Sequence, residues 1–581
     1  MLRQDSEAAG ESTATMRRDL ARVLTELWGG HAGWLGVGTA VAVVAALLGL
    51  ALLALAGLGV AGSAADGGHG GGAARTGLAA AGLVSGLAAL VVLRPLVLLR
   101  PLARYAERLA THEATFRALA ETRLWFFRRL AERLPAGLGL RRAGDLLGRL
   151  VADVEALDGL YLRTLVPGVA ALVVVLATAL LLGALAPGLA ALVALPLALA
   201  LLAPLALAPG AARAAQQTAE AQGGLRAAVV DPLTGIEDTL AANAEGRAAA
   251  RLAEADAALA AAQRRLAARG AWGGALGGLL TQAALLGALG WGLAAGPEGV
   301  APALLGLFLA VAAAETLGLM PRAGAALAAA AAAARRLFQA ADQPPPVPEP
   351  ATLPASLPRG HAIRIRGLRF AWAPDRPPVF DGLDLDVPEG ARVAILGPSG
   401  SGKSTLAALL LKLAAPQGGS ITLGGADLAT LPAAFVRSRI ACLTQDARLF
   451  DDTIAANLRL AAPEADDAAL WRALEAARIA DLVRALPDGL QTRCGEAGAQ
   501  FSGGQARRLA LARALLSPAP VLILDEPAAG LDAETERDFL ATLDTATAGR
   551  SVILIVHRLI GIERPTRILR LIGRQAIPAT G

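Results

Sequence analysis

A glycine-rich segment is the part of the chain whose residue types and spacing point most directly to chemistry. It reads Gly397-Pro-Ser-Gly-Ser-Gly-Lys-Ser404 and matches the pattern G-x-x-x-x-G-K-[ST], between a strand-like run at 391–396 and a helix-like run that begins at Thr405. Glycines let backbone N–H groups turn inward around phosphate oxygens, and the N-terminus of the following helix adds favourable charge. The segment therefore predicts a phosphate-binding loop in which Lys403 reaches the β- and γ-phosphates and Ser404 ligates Mg²⁺. A chance glycine-rich turn is the alternative, and the strand–loop–helix context argues against it.

A second candidate for chemistry is a pair of acidic residues at the end of an apolar run. Residues 521–524 have the composition of a buried parallel strand, and Asp525 and Glu526 follow directly. We expect Asp525 to hold Mg²⁺ through water and Glu526 to polarise the attacking water. Phosphoryl transfer needs positioning and charge neutralisation rather than covalent chemistry, and this residue set supplies both.

Further motifs follow in the order found in ATP-binding cassette (ABC) proteins. Phe501-Ser-Gly-Gly-Gln505 resembles the LSGGQ signature with Phe in place of Leu, and His557 resembles the switch histidine. Gln445 resembles the glutamine of the Q-loop, and Gly530-Leu-Asp532 resembles the D-loop. Trp372 stands where the family places an aromatic ring, more often Tyr, that stacks on adenine.

This resemblance covers residues 362–575 and implies an ATPase in which two cassettes enclose two ATP molecules. The signature of one cassette would contact the γ-phosphate of the ATP bound to the other, so one chain builds only half of each site. Ala528, in place of the usual Thr, is a modest departure from the family pattern. The residues implied for catalysis are Glu526, His557, Lys403 and Gln445. Those implied for ATP binding are Trp372, Gly397, Pro398, Ser399, Gly400, Ser401, Gly402, Lys403, Ser404, Thr405, Ser502, Gly503, Gly504, Gln505 and Asp532. Those implied for Mg²⁺ are Ser404, Gln445 and Asp525.

The rest of the chain has the composition of a membrane domain. Of the 581 residues, 55% are hydrophobic and only 18% are charged, whereas soluble domains carry roughly 25% charged residues. A membrane-spanning helix needs about 20 apolar residues. Six stretches meet that length, at residues 32–61, 77–99, 165–185, 189–207, 271–295 and 300–319.

The connections between these stretches predict their orientation. Residues 100–164 and 208–270 are long and charged, whereas the other connections are short and nearly uncharged. The excess of arginine in the first long connection places both long connections, and the N-terminal segment, in the cytoplasm. The net charge of +5 is therefore read as a membrane-orientation signal and not as a nucleic-acid surface.

The predicted fold is multi-domain. We expect an all-α, six-helix transmembrane domain of ABC exporter type, followed by an α/β P-loop NTPase cassette. The proline-rich stretch between them cannot continue a helix and predicts a linker. The expected divisions are a cytoplasmic N-terminal segment at 1–31, the transmembrane domain at 32–341, the linker at 342–360 and the nucleotide-binding domain at 361–581.

The first long connection resembles one family of these transporters in particular. Its segments 104–117, 125–130 and 144–163, together with Gly-Glu-Ala-Gly-Ala at 495–499, are similar to CydC, one subunit of the bacterial heterodimeric transporter CydDC. The resemblance implies a CydD-like partner, a place in the bacterial cytoplasmic membrane and a role in the assembly of cytochromes such as the bd oxidase. It also implies cysteine and glutathione as exported substrates, with haem as a further proposed substrate.

A stripe of basic residues gives one indication of where a substrate binds. Arg100, Arg104, Arg108 and His112 are four apart on a predicted helix, and Arg94 falls close to the same face. The arginines could bind the carboxylates of glutathione or the propionates of haem, with His112 as an axial haem ligand. The other interpretation is a solvated, positive face paired with Glu107 and Glu113.

Two alternatives to a CydC-like transporter remain open at this point. A generic ABC exporter of lipids or drugs needs no CydD-like partner. A non-transport ABC ATPase is disfavoured because such proteins lack a fused membrane domain.

Overall fold

The computed structural model describes residues 15–66, 86–133, 149–350, 357–373, 375–445, 447–528, 533–559 and 564–578. These residues form two compact units. The described residues up to Gln343, except Arg133, form the first unit, and those from Pro344 onward form the second.

The secondary structure described in the first unit is helical. Short helical turns at Val23–Leu27 and Gly29–His31 precede the first long helix, and four others, between residues 149 and 165, lead into the third. The helices are α1 (Ala32–Asp66), α2 (Gly86–Arg133), α3 (Val166–Gly183), α4 (Pro187–Thr234), α5 (Ile236–Ala241), α6 (Glu245–Ala294), α7 (Pro297–Leu317) and α8 (Met320–Ala341).

Proline and glycine mark the helix ends. Pro187 and Pro297 begin α4 and α7, where the missing N–H costs no hydrogen bond. Gly235 separates α4 from the short helix α5.

Five helical segments of the described residues are long and apolar enough to cross a membrane: Gly29–Ala61, Val151–Gly183, Pro187–Pro204, Glu245–Ala294 and Pro297–Ala341. They correspond to five of the six predicted spans. The remaining one, 77–99, lies partly outside the described residues, and its described part belongs to α2.

The membrane unit is packed through small residues. A Cβ at Gly287 would lie 2.9 Å from the Leu192 carbonyl oxygen, and a Cβ at Gly324 would lie 2.8 Å from that of Pro204. Because lipid provides little hydrophobic drive for helix association, such close backbone contact is what stabilises the bundle. Large apolar side chains such as Leu180 and Leu293 are 75% and 87% exposed, as expected where the solvent is lipid.

The second unit contains two sheets surrounded by helices. Its strands are β1 (Ile363–Phe370), β2 (Phe380–Val387), β3 (Arg392–Leu396), β4 (Gly418–Leu423), β5 (Ala426–Asp427), β6 (Ile440–Leu443), β7 (Val521–Asp525), β8 (Ser551–Val556), β9 (Arg567–Ile572) and β10 (Gln575–Pro578). Its helices are α9 (Lys403–Leu410), α10 (Ala433–Arg439), α11 (Ile454–Arg459), α12 (Asp467–Ala476), α13 (Ala480–Ala485), α14 (Gly503–Leu516) and α15 (Ala533–Ala546).

The larger sheet positions the site. Its strand order is β10-β9-β3-β8-β7-β6, with β3, β8, β7 and β6 parallel, whereas the smaller antiparallel sheet has the order β2-β1-β4-β5. Every residue of β3 and β7 is buried, and both strands are apolar except for Arg392 at the start of β3 and Asp525 at the end of β7. The carboxyl ends of β3, β7 and β8 meet at one edge, the usual place for a ligand in an open α/β sheet. The fold is therefore that of a helical membrane domain with an α/β cassette.

Candidate functional site

The loop between β3 and α9 has the backbone of a phosphate cradle. Gly400 and Gly402 have φ values of +81° and +97°, which side chains rarely adopt. A Cβ at Gly402 would also lie 2.6 Å from Val379 Cγ1. Glycine is thus required by conformation and space, as the motif predicted.

Lys403 is buried at the first position of α9. Its Nζ donates to the carbonyl oxygens of Gly397 and Pro398, at 2.7 and 3.0 Å. These bonds keep the ammonium folded over the loop that it serves, where an anion in the cradle would meet it.

Ser404 and Asp525 meet beside this loop. The Ser404 hydroxyl donates to Oδ2 of Asp525 at 2.9 Å, and Asp525 is 3% exposed. Burial raises the pKa of the Asp525 carboxyl above its usual range, and the hydrogen bond from Ser404 opposes that rise. A hydroxyl and a carboxylate are hard oxygen ligands suited to Mg²⁺, so the pair fits the ion that the sequence predicts.

Glu526 and His557 face each other across the ends of β7 and β8. His557 Nε2 lies 2.6 Å from Glu526 Oε1. Glu526 has a φ of +49°, and its N–H donates to the Ile555 carbonyl oxygen at 2.8 Å. A non-glycine residue in this conformation is strained and must be held by its surroundings, a pattern that clusters at functional sites.

Trp372 covers the open side of the loop. Its ring lies edge-on to that of Phe370, with centroids 5.1 Å apart, and its Nε1–H donates to Thr405 Oγ1 at 3.2 Å. The ring is 40% exposed, so a face remains available for stacking.

These residues line one cleft of about 430 Å³, a volume within the range of small-molecule sites. Its lining is Trp372, Val379, Ser399, Gly400, Gly402, Lys403, Ser404, Thr405, Gln445, Asp525, Glu526 and His557. The phosphate cradle, an aromatic platform and a pair of Mg²⁺-suited oxygens occur together there, and they fit a nucleoside triphosphate with its magnesium.

The sequence interpretation missed Arg507, which lies on α14. Its guanidinium donates to the carbonyl oxygens of Gln445 at 2.6 Å, Asp525 at 2.5 Å, and Glu526 at 2.7 and 3.0 Å. The side chain therefore links the helix of the signature to the backbone of the Q-loop and of the acidic pair. The sequence does show an arginine two residues after the signature, but the neighbouring residues do not indicate which groups its side chain binds.

The signature residues are arranged differently from the rest. Ser502 caps the N-terminus of α14, its hydroxyl accepting from Gln505 N at 3.3 Å, while Gln505 Oε1 accepts from Ser502 N at 2.9 Å. Ser502, Gly503, Gly504 and Gln505 are all described, yet none is among the residues that line the cleft. Asp532, predicted for the D-loop, lies outside the described residues.

Two arginines in the basic stripe of the membrane unit are already paired with acidic side chains. Arg100 Nη2 pairs with Glu315 Oε2, and Arg104 Nη2 lies 2.9 Å from Glu315 Oε1. Arg104 Nη1 is also 3.7 Å from Glu107. Of the two acidic partners expected for a solvated face, Glu107 is therefore found, whereas Glu113 pairs with Arg117 instead.

The remaining residues of the stripe are more accessible. Arg94 and Arg108 are exposed, and His112 is half-buried. The His112 ring packs against Phe116, with centroids 5.7 Å apart.

The two cysteines lie outside this chemistry. Burial raises the pKa of the Cys442 thiol to about 12 and that of Cys494 to about 11, so both stay protonated and unreactive at neutral pH.

Comparison with known proteins connects both units to membrane transport. Residues 380–529 match the family model described as ABC transporter. The chain is 35% identical over 485 residues to the Escherichia coli glutathione/L-cysteine transport system ATP-binding/permease protein CydC, a match that covers 82% of this chain and 84% of that protein. It is 41% identical over 235 residues to the ATP-dependent lipid A-core flippase of Chromohalobacter salexigens, over 40% of each chain.

A solved structure extends this likeness to the fold. It is described as a bacterial Atm1-family ABC exporter with ATP bound, and it matches with a TM-score of 0.81 at 25% identity. The match covers 93% of this chain and 94% of that one. The predicted exporter-type fold is confirmed.

Proposed function

Since the chain belongs to the CydC family of ABC transporters, we propose that it pairs with a CydD-like chain to move thiol-containing, carboxylate-bearing molecules across the bacterial cytoplasmic membrane. It is an ATP-binding membrane protein and a subunit of an ATP-driven transporter.

The observation that carries the pairing of two cassettes is the separation of the signature from the cleft, and the match to CydC is what favours an unlike, CydD-like partner. Ser502 and Gly503 are exposed at the N-terminus of α14, and a helix N-terminus is a good site for a phosphate, yet Ser502, Gly503 and Gly504 do not line this chain's own cleft. A second cassette would bring its signature to the ATP held here and receive this one in return.

Within the completed site each residue has a separate task. The loop residues 397–405 hold the phosphates, and Trp372 stacks on adenine. Ser404, Asp525 and Gln445 are the Mg²⁺ ligands, and Asp532 belongs to the D-loop at the dimer interface. Glu526 polarises the attacking water. His557, whose Nε2 lies 2.6 Å from the Glu526 carboxylate, orients that carboxylate and stabilises the charge that develops during phosphoryl transfer.

The proposed division of the chain follows these tasks. Residues 32–341 form the transmembrane domain and residues 361–581 the cassette, with residues 342–360 as the linker. The cassette and residues 1–31 lie in the cytoplasm, as the arginine-rich connections favour.

Glutathione and cysteine are the proposed substrates, because the E. coli relative is a glutathione/L-cysteine transport protein. The basic stripe supports them, because paired guanidinium groups match the planar geometry of a carboxylate. A lipid flippase is the weaker candidate, since the flippase match covers 40% of this chain and the CydC match covers 82%.

Haem is a second candidate, supported by one observation. His112 is half-buried beside an aromatic ring on the same helix as the arginines, which suits an axial ligand with propionates bound nearby. In a purified complex that carries haem, His112→Ala should shift the visible spectrum. An unchanged spectrum would remove this candidate.

The test of the proposed function is ATPase stimulation of the reconstituted heterodimer. The wild-type complex is assayed in parallel with glutathione, cysteine, haem and apolar drugs. A Glu526→Gln complex, assayed in the same way, gives the background rate of ATP hydrolysis. We expect the thiols to stimulate hydrolysis and the drugs to have no effect. Stimulation by drugs alone would overturn the proposal.

A further inference from the structure

Glu315 is an acidic residue inside an apolar helical segment. It lies near the end of α7, within the candidate span Pro297–Ala341, between Ala314 and Thr316. Ionisable residues are costly in such segments and are retained where they have a function.

Both carboxylate oxygens of Glu315 are occupied by arginine. Oε2 accepts from Arg100, and Oε1 accepts from Arg104 at 2.9 Å. The two arginines lie one turn apart on α2, so a single carboxylate on α7 bridges them. This is the geometry in which a pair of guanidinium groups binds a ligand carboxylate.

The helix α1 leaves room for this cluster. A Cβ at Gly49 would lie 3.4 Å from Arg100 Nε, an ordinary van der Waals distance, so α1 runs close to this guanidinium. Three helices therefore meet around Arg100.

The three charged side chains of this cluster, those of Arg100, Arg104 and Glu315, are also accessible to a ligand. The side chains of Arg100, Arg104 and Glu315 are 25%, 40% and 47% exposed. These exposed fractions leave the two guanidinium groups open to a ligand, and a partly exposed ion pair is weaker than a fully buried one, so a ligand carboxylate can replace that of Glu315.

We propose that Glu315 is a displaceable internal counter-ion of the substrate site. In the empty transporter its carboxylate occupies Arg100 and Arg104, and a substrate carboxylate takes its place. This inference rests on the proposed function, which assigns the arginines to a carboxylate-bearing substrate. Displacement also releases the link between α2 and α7, and so connects substrate binding to helix movement.

The inference predicts that removing the competing charge tightens substrate binding. In the purified heterodimer, Glu315→Gln should lower the Kd for glutathione by up to about fivefold, since a partly exposed ion pair is worth up to about 1 kcal/mol. Glutathione diethyl ester, whose carboxylates are blocked, should show no such gain. Calorimetry measures both.

A control variant tests whether the effect is specific to Glu315, and a second variant at Glu315 covers the case in which the first assembles poorly. Glu298→Gln makes the same charge change at an exposed position in the first turn of α7 and should leave the Kd unchanged. Glu315→Ala removes the same charge with a smaller side chain and should reproduce the gain if the Gln variant assembles poorly.

The outcomes separate this inference from the proposed function. If the wild type binds glutathione and Glu315→Gln binds it equally or more weakly, the inference is overturned and the function stands. If glutathione, cysteine and haemin bind only to the variant, Glu315 is not displaced by these ligands in the wild type, so the inference is overturned together with the assigned substrates. If none of the three binds either protein, both are overturned.

Discussion

The hydroxyl of Ser404 donates to Oδ2 of Asp525 at 2.9 Å, although 121 positions separate the two residues. The contact joins the phosphate loop to the end of β7 and places two oxygens suited to Mg²⁺ side by side. The cassette is thus organised around these ligands before the nucleotide arrives.

Magnesium binding should weaken on acidification earlier than an ordinary aspartate would allow. Burial raises the pKa of Asp525, so its carboxylate takes up a proton at a higher pH and loses the charge that attracts the cation. The Mg²⁺ concentration for half-maximal ATPase should therefore rise as the pH falls. Asp467→Asn, at an exposed position, is the control. A Mg²⁺ requirement that stays constant until the pH reaches the usual pKa of a free aspartate, about 3.9, would contradict this.

Glu526→Gln should abolish hydrolysis while ATP still binds. The amide keeps the shape of the side chain but cannot polarise water as a base, a contribution of about 10²–10⁴-fold. His557→Ala should lower the rate in the same direction, since its ring contacts the Glu526 carboxylate at 2.6 Å. Steady-state ATPase and binding of a fluorescent nucleotide measure the two effects. Glu475→Gln, on the surface of α12, should behave as wild type, and a wild-type rate in Glu526→Gln would refute the assigned role.

Trp372→Ala should weaken ATP binding more than it slows turnover. Loss of stacking on a base costs about 1–3 kcal/mol, which raises the KM for ATP by roughly 5- to 150-fold. Trp372→Tyr should keep the wild-type KM. Trp372→Phe removes the hydrogen bond to Thr405 and retains a ring, so it separates stacking from that bond. An unchanged KM in Trp372→Ala would show that adenine binds elsewhere.

Arg507→Ala should lower kcat and leave the KM for ATP nearly unchanged. The guanidinium does not line the cleft, but it holds the carbonyl oxygens of Asp525 and Glu526, so its loss should disturb the catalytic carboxylate. Arg507→Lys, which keeps the charge without the planar fork, should recover part of the rate. Arg508→Ala is the neighbouring control, because that side chain donates to the Arg478 carbonyl oxygen instead. Equal losses in kcat for both variants would indicate a general loss of stability.

The cassette could be predicted from the sequence because its chemistry is local. A phosphate loop needs glycines at fixed offsets, and the positive φ values of Gly400 and Gly402 are the structural form of that requirement. Glu526 could be located in the same way, because a buried strand ends beside it. The strain in its backbone, at φ +49°, could not, since it depends on contacts with β8 and Arg507.

The membrane domain was less predictable because its packing depends on contacts between residues that are far apart in the sequence. Alanine and leucine satisfy a span in many helix arrangements, so composition gives the spans but not their neighbours. Arg100 and Glu315 are 215 positions apart in the sequence, so their pairing could be identified only from the packing of the helices in the structure. The sequence offered Glu107 and Glu113 as partners because they are near in the chain, and only Glu107 lies within 4 Å of an arginine of the stripe, Arg104.

Transport by reconstituted vesicles is the most direct test of the central claim, that this chain is one half of an ATP-driven heterodimer. Labelled glutathione or cysteine is followed in vesicles that carry this chain with a CydD-like partner, each chain alone, or the pair with Glu526→Gln. We predict an ATP-dependent change in vesicle content only for the wild-type pair. Transport by this chain alone, or equal transport without ATP, would contradict the account.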